Sequence, residues 1–299
     1  METVESLKRR IESTEDLQSV VKTMKALAAV KIRQFERAAE SLETYHHTVE
    51  MGLRAVFQGG GTGQVITREG TGRVPGSVVF GSDQGMCGQL NEQVAAHAMA
   101  HLEGLEPGPG ERVVLAVGER VRARMEERGQ PVEESMGVPG GVQGIAPKVR
   151  DLLVQVTAWQ EERGVDRVFL FHSEPLSGAS YRPRTVELLP LDQAWLGRLQ
   201  KTPWPRRALP LFRGDPQALF SGLVREYLFV ALFRAFAQSL ASENASRLAS
   251  MQGAEKNIEG RLAELQNRFH QQRQMSITEE LLDIVSGFEA LKQESGQGT

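Results

Sequence analysis

A single cysteine, Cys87, stands in the 299-residue chain. No intrachain disulfide framework can brace the fold, and a reducing compartment is expected. No run of eighteen apolar residues is present. The densest apolar stretch, Leu223 to Ala237, is broken by Arg225, Glu226 and Arg234, so no bilayer-spanning helix is predicted. Met1 to Arg10 contains no secretory h-region, and the expectation is a soluble, cytosolic protein. The formal net charge of -3 gives no bulk attraction to nucleic acid or anionic membrane, so no nucleic-acid partner is expected.

Proline is missing from both ends. All 13 prolines fall between Pro75 and Pro216. Proline in a helix interior loses a backbone hydrogen bond and clashes with the preceding turn, so its absence permits two long terminal helices, predicted over 1–57 and 211–293. Apolar residues recur there at steps of three and four. On the first helix they are Val21, Met24, Ala28, Ile32, Phe35, Ala39, Leu42, Val49, Leu53 and Val56, interrupted near His46. On the last they are Met251, Ile258, Leu262, Leu265 and Phe269, then Ile277, Leu281, Ile284, Phe288 and Leu291. Both are the narrow seam of a coiled coil. At about 1.5 Å per residue, Asp215 to Leu291 could extend roughly 110 Å. Closing the intervening loop costs about 4–5 kcal/mol of chain entropy. Two or three buried Leu- or Phe-sized contacts, at about 1.5–3 kcal/mol each, offset that. Antiparallel pairing of the two ends is therefore expected.

Between the ends, strands are predicted over Ser77–Phe80, Val113–Val117, Arg167–Phe171 and Arg184–Leu191. Helices are predicted over Gln89–Glu103, Glu119–Arg128 and Lys148–Arg163. That alternation predicts a Rossmann-like α/β domain over 77–205 with a mainly parallel sheet. Residues 58–76, with Gly59-Gly-Gly-Thr-Gly63, read as a flexible connector, and 294–299 as a disordered tail.

Few residues point to chemistry. The turn Gly81-Ser-Asp-Gln-Gly-Met-Cys-Gly88 follows a strand and precedes a helix, as a phosphate cradle would. It matches neither G-x-G-x-x-G nor G-x-x-x-x-G-K-[ST], and no lysine stands at the helix start, so tight chain reversal is the better account. His97 and His101 have a metal-ligand spacing without a suitable third ligand. His46 and His47 are adjacent and point apart. Cys87 has no neighbouring histidine and reads as a small buried hydrophobe. No catalytic, metal or cofactor residue is assigned. Lys22, Lys25, Lys31, Arg33 and Arg37, against Glu36 alone, form a basic row on the first helix. It could be a solvated face or a sleeve for a partner's acidic loops.

The residues carry a family resemblance. Met24-Lys25-Ala-Leu-Ala-Ala-Val-Lys31 resembles the N-terminal helix of the γ subunit of F-type ATP synthases. Leu240-Ala-Ser-Glu-Asn-Ala-Ser-Arg-Leu248 and Arg273-Gln-Met-Ser-Ile-Thr-Glu-Glu-Leu281, continuing to Gly287, resemble its C-terminal helix. Ser82-Asp-Gln-Gly-Met-Cys-Gly88 with Leu90-Asn91 is similar to its central turn. The likeness spans essentially the whole chain. It implies a non-catalytic rotor shaft inside a ring of three α and three β subunits, seated on the membrane c ring with the ε subunit, peripheral at the cytoplasmic face of a bacterial membrane. Carried over by motif, Met24 and Lys25 would meet an acidic β loop. Arg247, Arg273, Gln274 and Thr278 would be polar contacts of the last helix. Ile277 to Leu291, with Ile284, would be the tip in the bearing of the hexamer. Gln84, Gln89 and Phe212-Arg-Gly-Asp-Pro216 depart from the family pattern and point to a divergent bacterial branch of the sodium-associated kind. The competing readings are a coiled-coil scaffold or tether and a nucleotide-binding enzyme.

Overall fold

The computed structural model describes residues 3–58, 74–105, 111–176, 179–202, 204 and 212–296. Most of the expected connector therefore lies outside the described residues. Helix α1 spans Val4–Gln58 and α6 spans Pro216–Gly296. Thr3 starts α1, its hydroxyl accepting from the Ser6 amide at 3.2 Å. Asp215 caps α6, its carboxylate accepting from the Gln217 and Ala218 amides at 3.1 and 3.0 Å, with Pro216 at the first position where a missing N–H costs nothing. The helix extends to Gly296, so the first three residues of the expected tail are helical.

The chain divides into two compact units, residues 1–26 with 251–299 and residues 27–250. In the first, Leu7, Met251, Leu262 and Leu265 are buried, while Val21, Met24, Ile258 and Phe269 are half-buried. Lys25 of α1 pairs with Glu255 of α6.

In the second unit α1 and α6 are antiparallel: Glu43 meets Arg234 at 2.7 Å and Tyr45 meets Glu226 at 2.6 Å, so numbering falls on one helix as it rises on the other. Ala28, Phe35, Val49, Leu53 and Val56 are buried as the seam requires. His46 fills a seam position instead of interrupting it, its ring 5.6 Å from that of Tyr227.

The sheet holds β1 (Pro75–Phe80), β2 (Val113–Val117), β3 (Glu134–Met136), β4 (Arg167–Pro175) and β5 (Tyr181–Leu189) in the order β3-β2-β1-β4-β5. All neighbours are parallel except β4 and β5. Helices α2 (Leu90–Glu103), α3 (Glu119–Glu127) and α4 (Ile145–Glu162) connect the parallel strands. Both faces are covered, so every residue of β1 and β2 is buried, Ser77 included. Val79, Val114, Ala116, Phe169 and Phe171 pack on α2 and α3. Val78, Phe80, Leu115 and Leu170 face α4 and, from α6, Leu232, Phe236 and Leu240. Helix α4 begins earlier than the expected Lys148 because Pro147 fits its first turn. Helix α5 (Gln193–Lys201) joins a third core in which Leu199 meets Val49, Leu53 and Phe220. The sequence reading missed β3 and α5.

Candidate functional site

The turn after β1 is held by its own chain. The Ser82 amide donates to Asn91 Oδ1 at 2.9 Å, and Asn91 Nδ2 donates to the Ser82 hydroxyl at 2.8 Å. Gly118, at φ +110, lies so close to Ser82 that a Cβ there would come within 2.8 Å of its backbone. A phosphate cradle needs open amides at a helix start. Here Asp83 already supplies the anion: its carboxylate accepts from the Glu119 amide at the start of α3 at 3.1 Å and from the Val138 amide at 2.8 Å. Beside the turn lies a groove of about 720 Å³, lined in part by Met86, Glu92, Arg120 and Arg124. Glu92 meets Arg128 and, at 3.7 Å, Arg124, which spends much of the groove's positive charge internally.

The topology places a second feature. Strands β2 and β3 lie on one side of β1, and the chain then crosses through α4 to β4 on the other. The order thus reverses between β1 and β4, where doubly wound sheets open a ligand crevice at the carboxyl ends of their strands. Helix α6 fills that place. Ser242 Oγ donates to the Ser173 carbonyl on β4 at 3.0 Å, and Ser246 Oγ to the Cys87 carbonyl in the turn after β1 at 2.5 Å. Arg247 donates to Glu243 at 2.6 Å and extends toward the Gly85 carbonyl at 3.5 Å. Burial raises the Glu243 carboxyl above its ordinary pKa, opposed by Arg247 and by Lys31 of α1. His172, buried under this contact with its ring edge-on to Phe80, is pushed down to about 4 by desolvation.

The sequence-predicted residues fall into different settings. Lys25 is half-exposed and paired with Glu255, and Met24 beside it is half-buried. Arg247 is largely buried, its side chain 11 % exposed, and its partners are within the chain. Arg273, Gln274 and Thr278 are exposed on α6, the Thr278 hydroxyl returning to the Gln274 carbonyl of its own helix at 2.9 Å. Ile284 is 68 % exposed, in a segment where Met275, Ile277, Leu281, Leu282 and Val285 are exposed as well. The side chains of Phe288 and Leu291 lie outside the described residues. His97 bonds to Thr185 Oγ1 at 2.8 Å, and His101 packs edge-on against Phe169 and Phe171. Sequence reading missed Ser242, Glu243 and Ser246 as a docking set. The signal was there in small polar residues spaced three and four apart from Ser239 to Ser250, a face too polar for an ordinary core.

Two long antiparallel helices, one with an uncovered apolar segment, and a doubly wound domain whose crevice receives its own helix define a coiled-coil stalk protein with a mounted α/β domain. Residues 3–291 match the family model described as ATP synthase. Among curated relatives, the chain is similar to the ATP synthase gamma chain of Alkaliphilus metalliredigens (strain QYMF), 27% identical over 299 residues that cover 97% of this chain and 99% of the relative. The chain belongs to the γ-subunit family of the ATP synthases. Its fold matches solved structures of Euglena gracilis mitochondrial ATP synthase. In one, of the rotor, the TM-score is 0.59 at 15% identity over 92% of this chain and 98% of that one. In another, comprising OSCP, F1 and c-ring, it is 0.64 at 17% identity over 99% and 97%. The central stalk and c-ring of Tetrahymena thermophila mitochondrial ATP synthase gives 0.54 at 21% identity over 79% and 99%.

Proposed function

We propose that this chain is the central rotor shaft of a bacterial F-type ATP synthase, coupling ion flow through a membrane c ring to ATP synthesis or hydrolysis at the β subunits. In this reading three α and three β subunits surround the helix pair, and the α/β domain meets the c ring and the ε subunit at the cytoplasmic face of the membrane. The chain supplies no catalytic group. It makes different contacts at each angle and so biases subunits with more than one stable state.

The observation that carries this is the last described stretch of α6. Met275, Ile277, Leu281, Leu282, Ile284 and Val285 are each about half exposed or more. At about 100° per residue they spread over about half of the helix circumference, wider than the narrow stripe that a single neighbouring helix covers in a coiled coil. A surrounding bearing can cover them. Arg273, Gln274 and Thr278 are the polar contacts proposed just before it, and Met24 and Lys25 those proposed on α1. No described helix is long and apolar enough to cross a membrane, so attachment through the c ring fits. The sodium-associated branch rests on the departures at Gln84, Gln89 and Asp215-Pro216 alone.

Co-expression with α and β subunits, purification through a tag on this chain, and mass determination test the reading. One copy with three α and three β is the expected result. A well-folded chain emerging alone would overturn it in favour of a scaffold or tether.

A further inference from the structure

The contact between α6 and the carboxyl edge of the sheet is directional. Apolar burial alone would tolerate a small slide or roll of the helix. The Ser242 and Ser246 hydroxyls, at 3.0 and 2.5 Å from the carbonyls of Ser173 and Cys87, would not. They lie four residues apart on one helix face and address β4 and the turn after β1, one on each side of the switch point. Slipping α6 by one turn, about 5.4 Å, breaks both at once. The approach is also close. Gly88 sits at φ +55, where other residues are strained, and a Cβ there would press to 3.1 Å on Ser246 Oγ and 3.3 Å on Ser250 Oγ, so glycine suits this close approach of the turn to the helix.

Arg247 closes this contact. Its guanidinium holds Glu243, 7 % exposed, and extends to the Gly85 carbonyl. The second Glu243 oxygen is buried with no hydrogen-bond partner among the described residues. The carboxylate therefore depends on Arg247 for its side-chain hydrogen bond among the described residues. Arg247 thus links the helix to the turn after β1 through a residue that cannot readily be left alone.

We propose that the crevice at the switch point is the seat that fixes α6 to the α/β domain at one rotational setting, and that Arg247 is the positioning residue of that seat. The consequence for torque rests on the rotor reading above: a shaft transmits rotation only if its mounted domain cannot slip on it. Arg247 then acts through α6 and not by touching a β subunit.

The lone cysteine reports the seat. Cys87 is buried, and its own carbonyl receives Ser246. In the full chain alone, alkylation of Cys87, followed by mass spectrometry of its peptide, is expected to quicken about tenfold in Arg247→Met, the scale of one charge-assisted hydrogen bond. Arg247→Lys should fall between, and it keeps the test open if Arg247→Met fails to fold. In the assembled complex in vesicles, ions pumped per ATP hydrolysed should fall in the same order while hydrolysis continues. Lower coupling with unchanged Cys87 reactivity would overturn the proposal and make Arg247 a partner contact. Faster alkylation with intact coupling would overturn it as well, since a loosened seat would then carry torque. If the unsubstituted chain fails to assemble with α and β, the rotor reading falls, and the Cys87 rates on the chain alone still decide whether Arg247 seats the helix.

Discussion

Helix α6 carries two kinds of apolar residue. Leu232, Phe236 and Leu240 are covered by the sheet of their own domain, whereas Ile277, Leu281 and Ile284 stay about half exposed or more among the described residues. Composition hardly distinguishes the two stretches; the partner does. The first obeys the ordinary rule of intrachain burial. The second makes sense only as a surface that another molecule completes, because exposed patches of this kind mark interaction sites. Charge divides in a similar way. Near the sheet, Arg247 is committed to Glu243, while Arg273 is exposed beyond it.

The largest effect expected from testing this contrast is Phe236→Ala. Phe236 is 1 % exposed and stacks edge-on to Phe80 at 4.9 Å. Chemical denaturation should show a loss of about 3–5 kcal/mol. A cost near zero would erase the distinction between the stretches.

Next is the pH dependence of the covered region. His172 is held neutral with its pKa lowered to about 4, against an ordinary 6.5. The unfolded chain therefore binds the proton first as pH falls. Its effect on stability is absent above about 6.5, grows as pH drops, and reaches a loss of about 3 kcal/mol near pH 4. Denaturation midpoints across that window should flatten in His172→Phe. An unchanged slope would mean that the histidine is not desolvated.

Smaller still is the Lys25–Glu255 pair, which is partly exposed. Lys25→Glu should cost at most about 1 kcal/mol. Combining it with Glu255→Lys should restore most of that in a double-mutant cycle. If α and β copurify normally with Lys25→Glu, the carried-over contact at Lys25 is wrong.

At the far end of the scale, Ile284→Ser should change the stability of the chain by no more than about 0.5 kcal/mol, yet reduce the α and β subunits retained on a tagged chain several-fold. A destabilisation comparable with that of Phe236→Ala would show that the segment is covered within the chain after all.

Much of this was legible because long-range pattern survives in a single sequence. Missing prolines and a repeating seam gave α1 and α6 within a few residues, and strand–helix alternation gave the α/β domain. The short elements were not legible. Strand β3 is three residues, and its pattern is too brief to register. Helix α5 sits between prolines, and its Trp195 finds its partners far along the chain, stacking on Tyr227 with ring centroids 4.4 Å apart and donating to Glu50 at 3.1 Å. The antiparallel edge strand β5 was read from Arg184 onward, and its start at Tyr181 was missed because Pro183 and two arginines held by Glu174 mask the alternation there. For Arg247, motif likeness pointed outward to a partner, while its surroundings turn it inward. No sequence spacing could show that, because Gly85 is distant along the chain and adjacent only after folding.

The separation of α1 from α6 has a consequence for biosynthesis. A ribosome releases Val21 to Val56, with their apolar seam, long before it makes their partner. Residues 59–215 must be translated first, and then α6 itself. At about 5–20 residues per second, α1 waits on the order of tens of seconds. In that interval the sheet can gain its α2, α3 and α4 coverings but still lacks the α6 side chains of its second face, and the first helix cannot bury its stripe. Newborn copies thus expose to the cell, throughout that interval, an apolar stripe that a chaperone or a wrong neighbour can capture.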